Sequence, residues 1–395
     1  MKNINYKLIL LLVLVTVIGM TSGLVGALLA RAYLIKETFN FPLFNEVSIT
    51  GNQLGSSNLI IREPKKVVVE QNVKIQETIS SSRNSIVGIY KKNNSALASE
   101  QNKAVGIDDY YLNTDQLGQG FILTTDGWLI TNFVSTEIKN LLGKKGDNTK
   151  ALKELLSKNY LVVANDKKTY EIDNLIYDKL TGFSFWHIKA SSLPVKQFAS
   201  YNEIINGQQV VAVNNQGWGQ PITIIGYKQG DTVESSDGYI DELVLNDVLN
   251  KNFNGSFLVN LNGNLAALIN SEGKSISSQS FINSFNSILK DQTITRPSLG
   301  LYYLPLNKLV NYSDSKGAVI HKNKNGVVFA DNSPAKRAGL KEGDIIIAIN
   351  NIEIDENNPL NKIISNYQTG TEIEVKYIAD QTTKTIKLKL ATFVY

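Results

Sequence analysis

The chain has 395 residues, 43% hydrophobic and 19% charged, which suits a globular protein with a real core and room for two or three domains. The formal net charge of +4 is too small and too scattered to point to nucleic acid, and no nucleic-acid partner is expected. With no cysteine there are no disulfides, thiolate nucleophiles or cysteine-ligated zinc, and with only His187 and His321 present no metal site or cofactor is expected.

Leu8–Ala30 is a run of 23 uncharged residues, and a spanning helix needs about 20. A cleaved signal peptide has an apolar region of only about 7–15 residues. Residues 1–36 are therefore predicted to be an uncleaved N-terminal transmembrane helix, a single-pass anchor in the cell membrane. Lys2 and Lys7 before the run, and Arg31 and Lys36 after it, orient the helix only weakly. Gly19 and Gly23 have the spacing of a helix-packing pair, but in a run this rich in small residues that spacing arises readily by chance. Residues 37–69 mix Asn, Gly, Ser and Pro without sustained periodicity and are predicted to be a linker.

From 70 to 291, short β-rich runs alternate with turn residues, among them Ser85–Tyr90, Gly120–Ile130, Tyr160–Val163, Phe183–Ile188, Gln209–Val213, Thr223–Tyr227 and Phe257–Ile269. This pattern predicts an all-β barrel or sandwich. Glu137–Lys158 breaks it: Ala151, Leu152, Leu155 and Leu156 recur at helical spacing, in a stretch with six lysines. That predicts a short amphipathic helix, read first as a solvated insertion resting on the barrel and second as a basic contact for lipid headgroups or a neighbouring subunit. Phe281–Leu289 also has helical spacing. A short Thr/Arg/Pro connection then leads into a separate β-rich unit.

Two blocks carry a resemblance. Gly118–Thr136 reads GQGFILTTDGWLITNFVST and Asn252–Ala267 reads NFNGSFLVNLNGNLAA. Both resemble signature blocks of the trypsin-like HtrA/DegP serine protease family, in which a histidine ends the first and GNSGGPLVN opens the second. A serine attacks the scissile carbonyl, a histidine takes its proton, an aspartate orients the imidazole, and backbone N–H groups hold the oxyanion. The resemblance puts the histidine position on Val134, the aspartate position on Gly182 and the nucleophile position on Asn254. None carries the required group, so no catalytic residue is expected and a pseudoprotease is the simplest reading. Ser256 falls on a family glycine, and using it as the nucleophile would lose the LVN match. His187 lies five residues past Gly182, roughly 16 Å along an extended strand, and reads as a packed, partly buried histidine. Lysines abound, but no spacing sets one beside a serine in a constrained turn. Gly255 survives after the nucleophile position, and Asn252 replaces the family's oxyanion-loop glycine.

Asn332–Asn350, NSPAKRAGLKEGDIIIAIN, resembles the PDZ domain of the same family. Pro334 suits the start of a short helix and Gly339 its end. Strands are predicted at Ile345–Ile349, Glu372–Ile378 and Lys384–Leu390. PDZ domains add an extended peptide, often a C-terminus, to a sheet edge. The resemblance makes Leu299, Gly300 and Leu301 the carboxylate loop, with Leu360, Ile363 and Ile364 at the side-chain pocket of a helix over Leu360–Tyr367.

The expected protein is mostly β. It has a transmembrane anchor (1–36), a linker (37–69), a trypsin-like double β-barrel domain (70–291) and an α+β PDZ domain (296–395). The expected function is a membrane-tethered, inactive HtrA-like homologue with its soluble domains outside the cytoplasm. It would bind exposed peptides or unfolded C-termini in protein quality control, as a homotrimer or beside an active protease. The alternatives are an endopeptidase with non-standard catalytic groups, or a PDZ scaffold for one fixed membrane partner.

Overall fold

A computed structural model describes residues 6–34, 39–41, 44–47, 64–93, 110–144, 148–228, 230–311 and 315–393. The chain divides into two units, Met1–Lys66 and Val67–Tyr395. The first contains helix α1 (Tyr6–Leu34) and a two-stranded hairpin of β1 (Phe39–Phe41) and β2 (Phe44–Val47). The predicted span Leu8–Ala30 lies within α1. Among the described residues, however, no helix is long and apolar enough to cross a membrane, so the fold lends the predicted transmembrane helix no support. The side chains at both ends of α1 lie outside the described residues, as does most of the predicted linker.

Helix α2 (Pro64–Arg83) runs across the expected linker boundary, where strands were predicted from residue 70. Its start at Pro64 fits the preset φ of proline in a first helical turn. From Val67 on it belongs to the second unit, where Ile75 and Ile79 pack on the shared core and the Thr78 hydroxyl donates to the Leu261 carbonyl (3.2 Å). Its weak amphipathicity hid it among polar residues, and tertiary packing supplies what periodicity does not.

The second unit opens with a closed barrel of β3 (Ile86–Lys91), β4 (Gln116–Ile122), β5 (Trp128–Thr131), β6 (Tyr160–Val163), β7 (Thr169–Tyr177) and β8 (Ser184–Ile188). The run Gly120–Ile130 is two strands, because Gly127, at φ +122°, turns the chain between them. The predicted helix in 137–158 is likewise two, α3 (Thr136–Leu142) and α4 (Thr149–Asn159). Leu152 and Leu156 are buried on the barrel while Lys150, Lys153 and Lys158 face solvent, which is the solvated-insertion reading. Ala151, counted with the apolar set, is exposed.

A second closed barrel comprises β9 (Gln209–Val213), β10 (Gly219–Tyr227), β12 (Glu242–Leu245), β13 (Phe257–Asn260), β14 (Leu265–Ile269) and β15 (Ser275–Ser277). The short β11 (Glu234–Ser235) leaves this barrel altogether. Helix α5 (Gln279–Asp291) follows and buries Phe281, Phe285 and Ile288. Aromatic pairs join these parts: Phe121 of the first barrel meets Phe257 of the second at 5.1 Å between ring centres, and Phe185 of the first barrel stacks on Phe285 of α5 at 5.7 Å. This fused core fixes the cleft between the two barrels.

The C-terminal part holds β16 (Pro297–Ser298), β17 (Tyr302–Pro305), β18 (Ala318–Ile320), α6 (Pro334–Arg337), β19 (Ile345–Ile349), β20 (Ile352–Glu353), α7 (Leu360–Ser365), β21 (Glu372–Ala379), β22 (Thr382–Lys389) and β23 (Ala391–Thr392). Its main sheet runs β17-β18-β19-β21-β22, and β11 adds to the β17 edge. The fold is thus mostly β, two trypsin-like barrels followed by a PDZ domain.

Candidate functional site

The antiparallel ladder of β5 and β8 pairs Thr131 with Ser184. Val134, three residues beyond Thr131, and Gly182, two residues before Ser184, therefore leave the same end of that ladder. On the other barrel, β9 and β13 pair Val213 with Phe257. Asn214–Gln216 and Asn252–Gly255 project from that end. These loops meet across a cleft of about 460 Å³ lined by Val134, Asn132, Asn214, Asn215, Asn252 and Asn254, among others. The cleft brings the histidine and nucleophile positions together. Gly182 is not among its lining residues, although there is open space where its Cβ would be.

The cleft is held by carboxamides rather than by acid–base groups. Asn215 Nδ2 donates to Gln116 Oε1 (2.5 Å), and the Asn215 N–H donates to Gln119 Oε1 (3.1 Å), tying one barrel to the other. The Asn132 amide sits 2.9 Å from where a Cβ on Gly255 would be, so the glycine makes room for it. Asn254 Nδ2 donates to the Ser271 carbonyl (2.9 Å), turning the side chain onto the neighbouring turn.

An oxyanion hole needs the N–H groups of the nucleophile and of the residue two before it. Here Lys251–Phe253 form a 3-10 turn. The Asn254 N–H donates to the Lys251 carbonyl and the Asn252 N–H to Asn250 Oδ1, each at 3.0 Å. Both donors are spent inside the loop. Ser256 is fully buried and its hydroxyl donates to the Phe253 carbonyl, which removes it as a nucleophile. His187 packs against Trp128 (5.0 Å between ring centres) and hydrogen-bonds Asp173 (2.6 Å), the packed role expected of it. Within the cleft lining, Ser271 bears the only hydroxyl and Lys139 the only charge.

The six residues predicted to bind peptide do converge. Leu299, Leu301, Leu360, Ile363 and Ile364 share one core cluster, and Gly300 adopts φ +76° beside Ser333. All are buried rather than lining an open groove. The Leu299 and Gly300 N–H groups both donate to Asp237 Oδ1, at 2.8 and 3.1 Å. Asp237 was invisible to sequence reasoning: an acid before a glycine reads as a turn.

Two further interactions went unforeseen. Arg296 grips Asp178 through two bonds of 2.8 and 2.6 Å, binding the first barrel to the start of the C-terminal part. At the second barrel, burial pushes the Asp241 carboxyl above its usual range, offset in part by the Tyr239 hydroxyl and by Lys362. Burial in turn lowers Lys362, which lies 4.1 Å above the Tyr201 ring.

A PDZ-domain family profile matches residues 315–390. A probable periplasmic serine endoprotease DegP-like of Rickettsia conorii is 27% identical over 295 residues, covering 70% of this chain and 54% of its own length. A probable periplasmic serine protease do/HhoA-like of Haemophilus influenzae is 30% identical over 219 residues, 51% of this chain and 46% of that protein. The chain spans about half the length of these curated relatives. Among solved structures, the HtrA-type protease AlgW with tripeptide superposes with a TM-score of 0.55 at 16% identity, covering 80% of this chain and 97% of that one, which is likeness of fold.

Proposed function

Because this chain belongs to the HtrA/DegP-like serine protease family with a PDZ domain, we propose that it is a catalytically silent member that binds polypeptide instead of cutting it. Its protease-like region would be 70–291 and its PDZ domain 296–395. The observation that carries this reading is the cleft: Val134 and Asn254 occupy the base and nucleophile positions, and the N–H donors at 252 and 254 are committed within the loop. Without nucleophile, base or oxyanion donors, acyl transfer has no group to begin it. The PDZ residues Leu299–Leu301, Leu360, Ile363 and Ile364 would read exposed or C-terminal peptides, in quality control or as a scaffold beside an active protease.

The purified protein is expected to hydrolyse no casein and to take no label from a fluorophosphonate probe. The rival reading, an endopeptidase with non-standard groups, would have to use Ser271 and Lys139, which line the same cleft. Labelling that vanishes in Ser271→Ala would establish that rival.

We also place the chain outside the cytoplasm, as the printed names of its relatives place them, and tether it through α1. What supports the tether is the uncharged run Leu8–Ala30 together with exposed apolar side chains such as Leu14, Ile18 and Leu24. The full chain should stay in the membrane pellet after alkaline carbonate extraction. Release into the supernatant would remove the anchor from the account.

A further inference from the structure

The PDZ groove already holds a strand of its own chain. Glu234 and Ser235 pair antiparallel with Tyr303 and Tyr302, and the Ser236 N–H donates to the Leu301 carbonyl (2.9 Å). This is β-augmentation in cis, with main-chain bonds along the sheet edge. Glu234 reaches both walls of the groove. Its Oε2 accepts from the Tyr303 hydroxyl on β17 (2.8 Å) and from Asn361 Nδ2 on α7 (3.1 Å), and its Oε1 pairs with Lys308 (2.7 Å).

The segment ends where a bound C-terminus would end. The Asp237 carboxylate accepts from the N–H groups of Leu299 and Gly300, from the Ser298 hydroxyl (2.5 Å) and from the Ser236 hydroxyl (2.8 Å). Backbone donors converging on a carboxylate make charge-assisted bonds, stronger than neutral ones. The chain does not stop there. Gly238, at φ +77°, turns it out of the groove and toward β12. Behind the segment, toward α5, Ser236, Gly238, Asn283 and Ile364 border a cavity of about 20 Å³, roughly the space of one water.

We propose that Glu234–Asp237 is an internal ligand that closes the PDZ groove, its Asp237 carboxylate standing in for the terminal carboxylate of a peptide. Peptides with a free C-terminus reach the groove only by displacing it. The proposal rests on the peptide-binding reading above and adds its regulation. A tethered ligand competes at high effective concentration, so apparent peptide affinity is the intrinsic affinity multiplied by the fraction of time the groove is open. Displacement also reaches the second barrel. Just downstream, the Asp241 N–H donates to the Ser280 hydroxyl and the Asp241 carbonyl accepts from Ser277 N–H, at the start of β12.

The register supplies a test. The Ser236 N–H bonds the Leu301 carbonyl, next to the Ser235–Tyr302 pairing, so Ser235 and Tyr302 sit at the closer, non-hydrogen-bonded kind of position, suited to a disulfide. The chain has no cysteine of its own to interfere. Ser235→Cys with Tyr302→Cys should oxidise readily in the full chain. A dye-labelled decapeptide ending in three valines with a free carboxylate should bind the reduced form at least ~10-fold more tightly than the oxidised one. Asp237→Ala, without the crosslink, should bind it more tightly than the unmodified chain by a similar factor, and the amidated decapeptide should gain nothing. If oxidised and reduced forms bind alike, or Asp237→Ala leaves affinity unchanged, the internal ligand is overturned while peptide binding stands. If the disulfide forms but neither the reduced form nor Asp237→Ala binds the decapeptide, the peptide-binding reading fails, and the displaceable gate with it.

Discussion

Arg296→Ala is expected to destabilise the second unit by about 3–5 kcal/mol, the cost of stripping the partner from a buried charge. The Asp178 side chain is 0% exposed and that of Arg296 10%. The guanidinium meets the carboxylate with two parallel bonds, and the Thr181 hydroxyl (2.8 Å) and Leu180 N–H (3.1 Å) donate to the same carboxylate. Those two donors cannot neutralise a full charge in an apolar surround, so alanine leaves it uncompensated. Arg296→Lys should recover only part of the loss, because an ammonium cannot make the two-pronged contact. Asp178→Asn with Arg296→Met should be more stable than Arg296→Ala alone, since it removes both charges at similar volume. Urea unfolding of the four proteins reads the series. A loss below about 1 kcal/mol for Arg296→Ala would place the pair among exposed ion pairs.

The strands were legible where a short, continuously buried apolar run stands between turn residues, as in Gln209–Val213 and Tyr160–Val163, whose predicted and observed ranges coincide. Merged runs such as Phe257–Ile269 were read as one strand because both arms are apolar, and only the Asn262-Gly263 turn, with Gly263 at φ +82°, separates them. Helix α2 was missed because its few apolar residues do not line up on one face, and it gains its stability from contacts such as Ile79 against Gly219. The triad substitutions were readable because motifs flank them. The closing of the cleft's donors was not, because Asn250, whose side chain takes the Asn252 N–H, lies outside any motif. Asp237 posed the same difficulty over a longer reach: its partners stand 61 to 63 residues away in sequence, and nothing local marks an acid that will meet a loop so distant.

The combined variant Val134→His, Gly182→Asp, Asn254→Ser is expected to remain without measurable turnover of casein. Asn254→Ser alone supplies a hydroxyl with no base, and triad members act as a unit. Restoring all three still leaves the oxyanion undefended. The N–H groups at 252 and 254 point back to Asn250 Oδ1 and the Lys251 carbonyl, and losing one such donor already costs about 10²–10³ in kcat. Gly182 adds a second obstacle. Its φ of +75° is a region aspartate visits at some cost, and that backbone rather than catalytic need fixes where the carboxylate would point. The distinguishing step is to add Asn250→Ala and Asn252→Gly, which remove the side-chain acceptor and relax the 3-10 turn. Fluorophosphonate labelling at position 254 should appear only in this five-residue variant. If the three-residue variant already labels and cleaves casein, the turn rearranges on its own, and silence rests on the missing side chains alone.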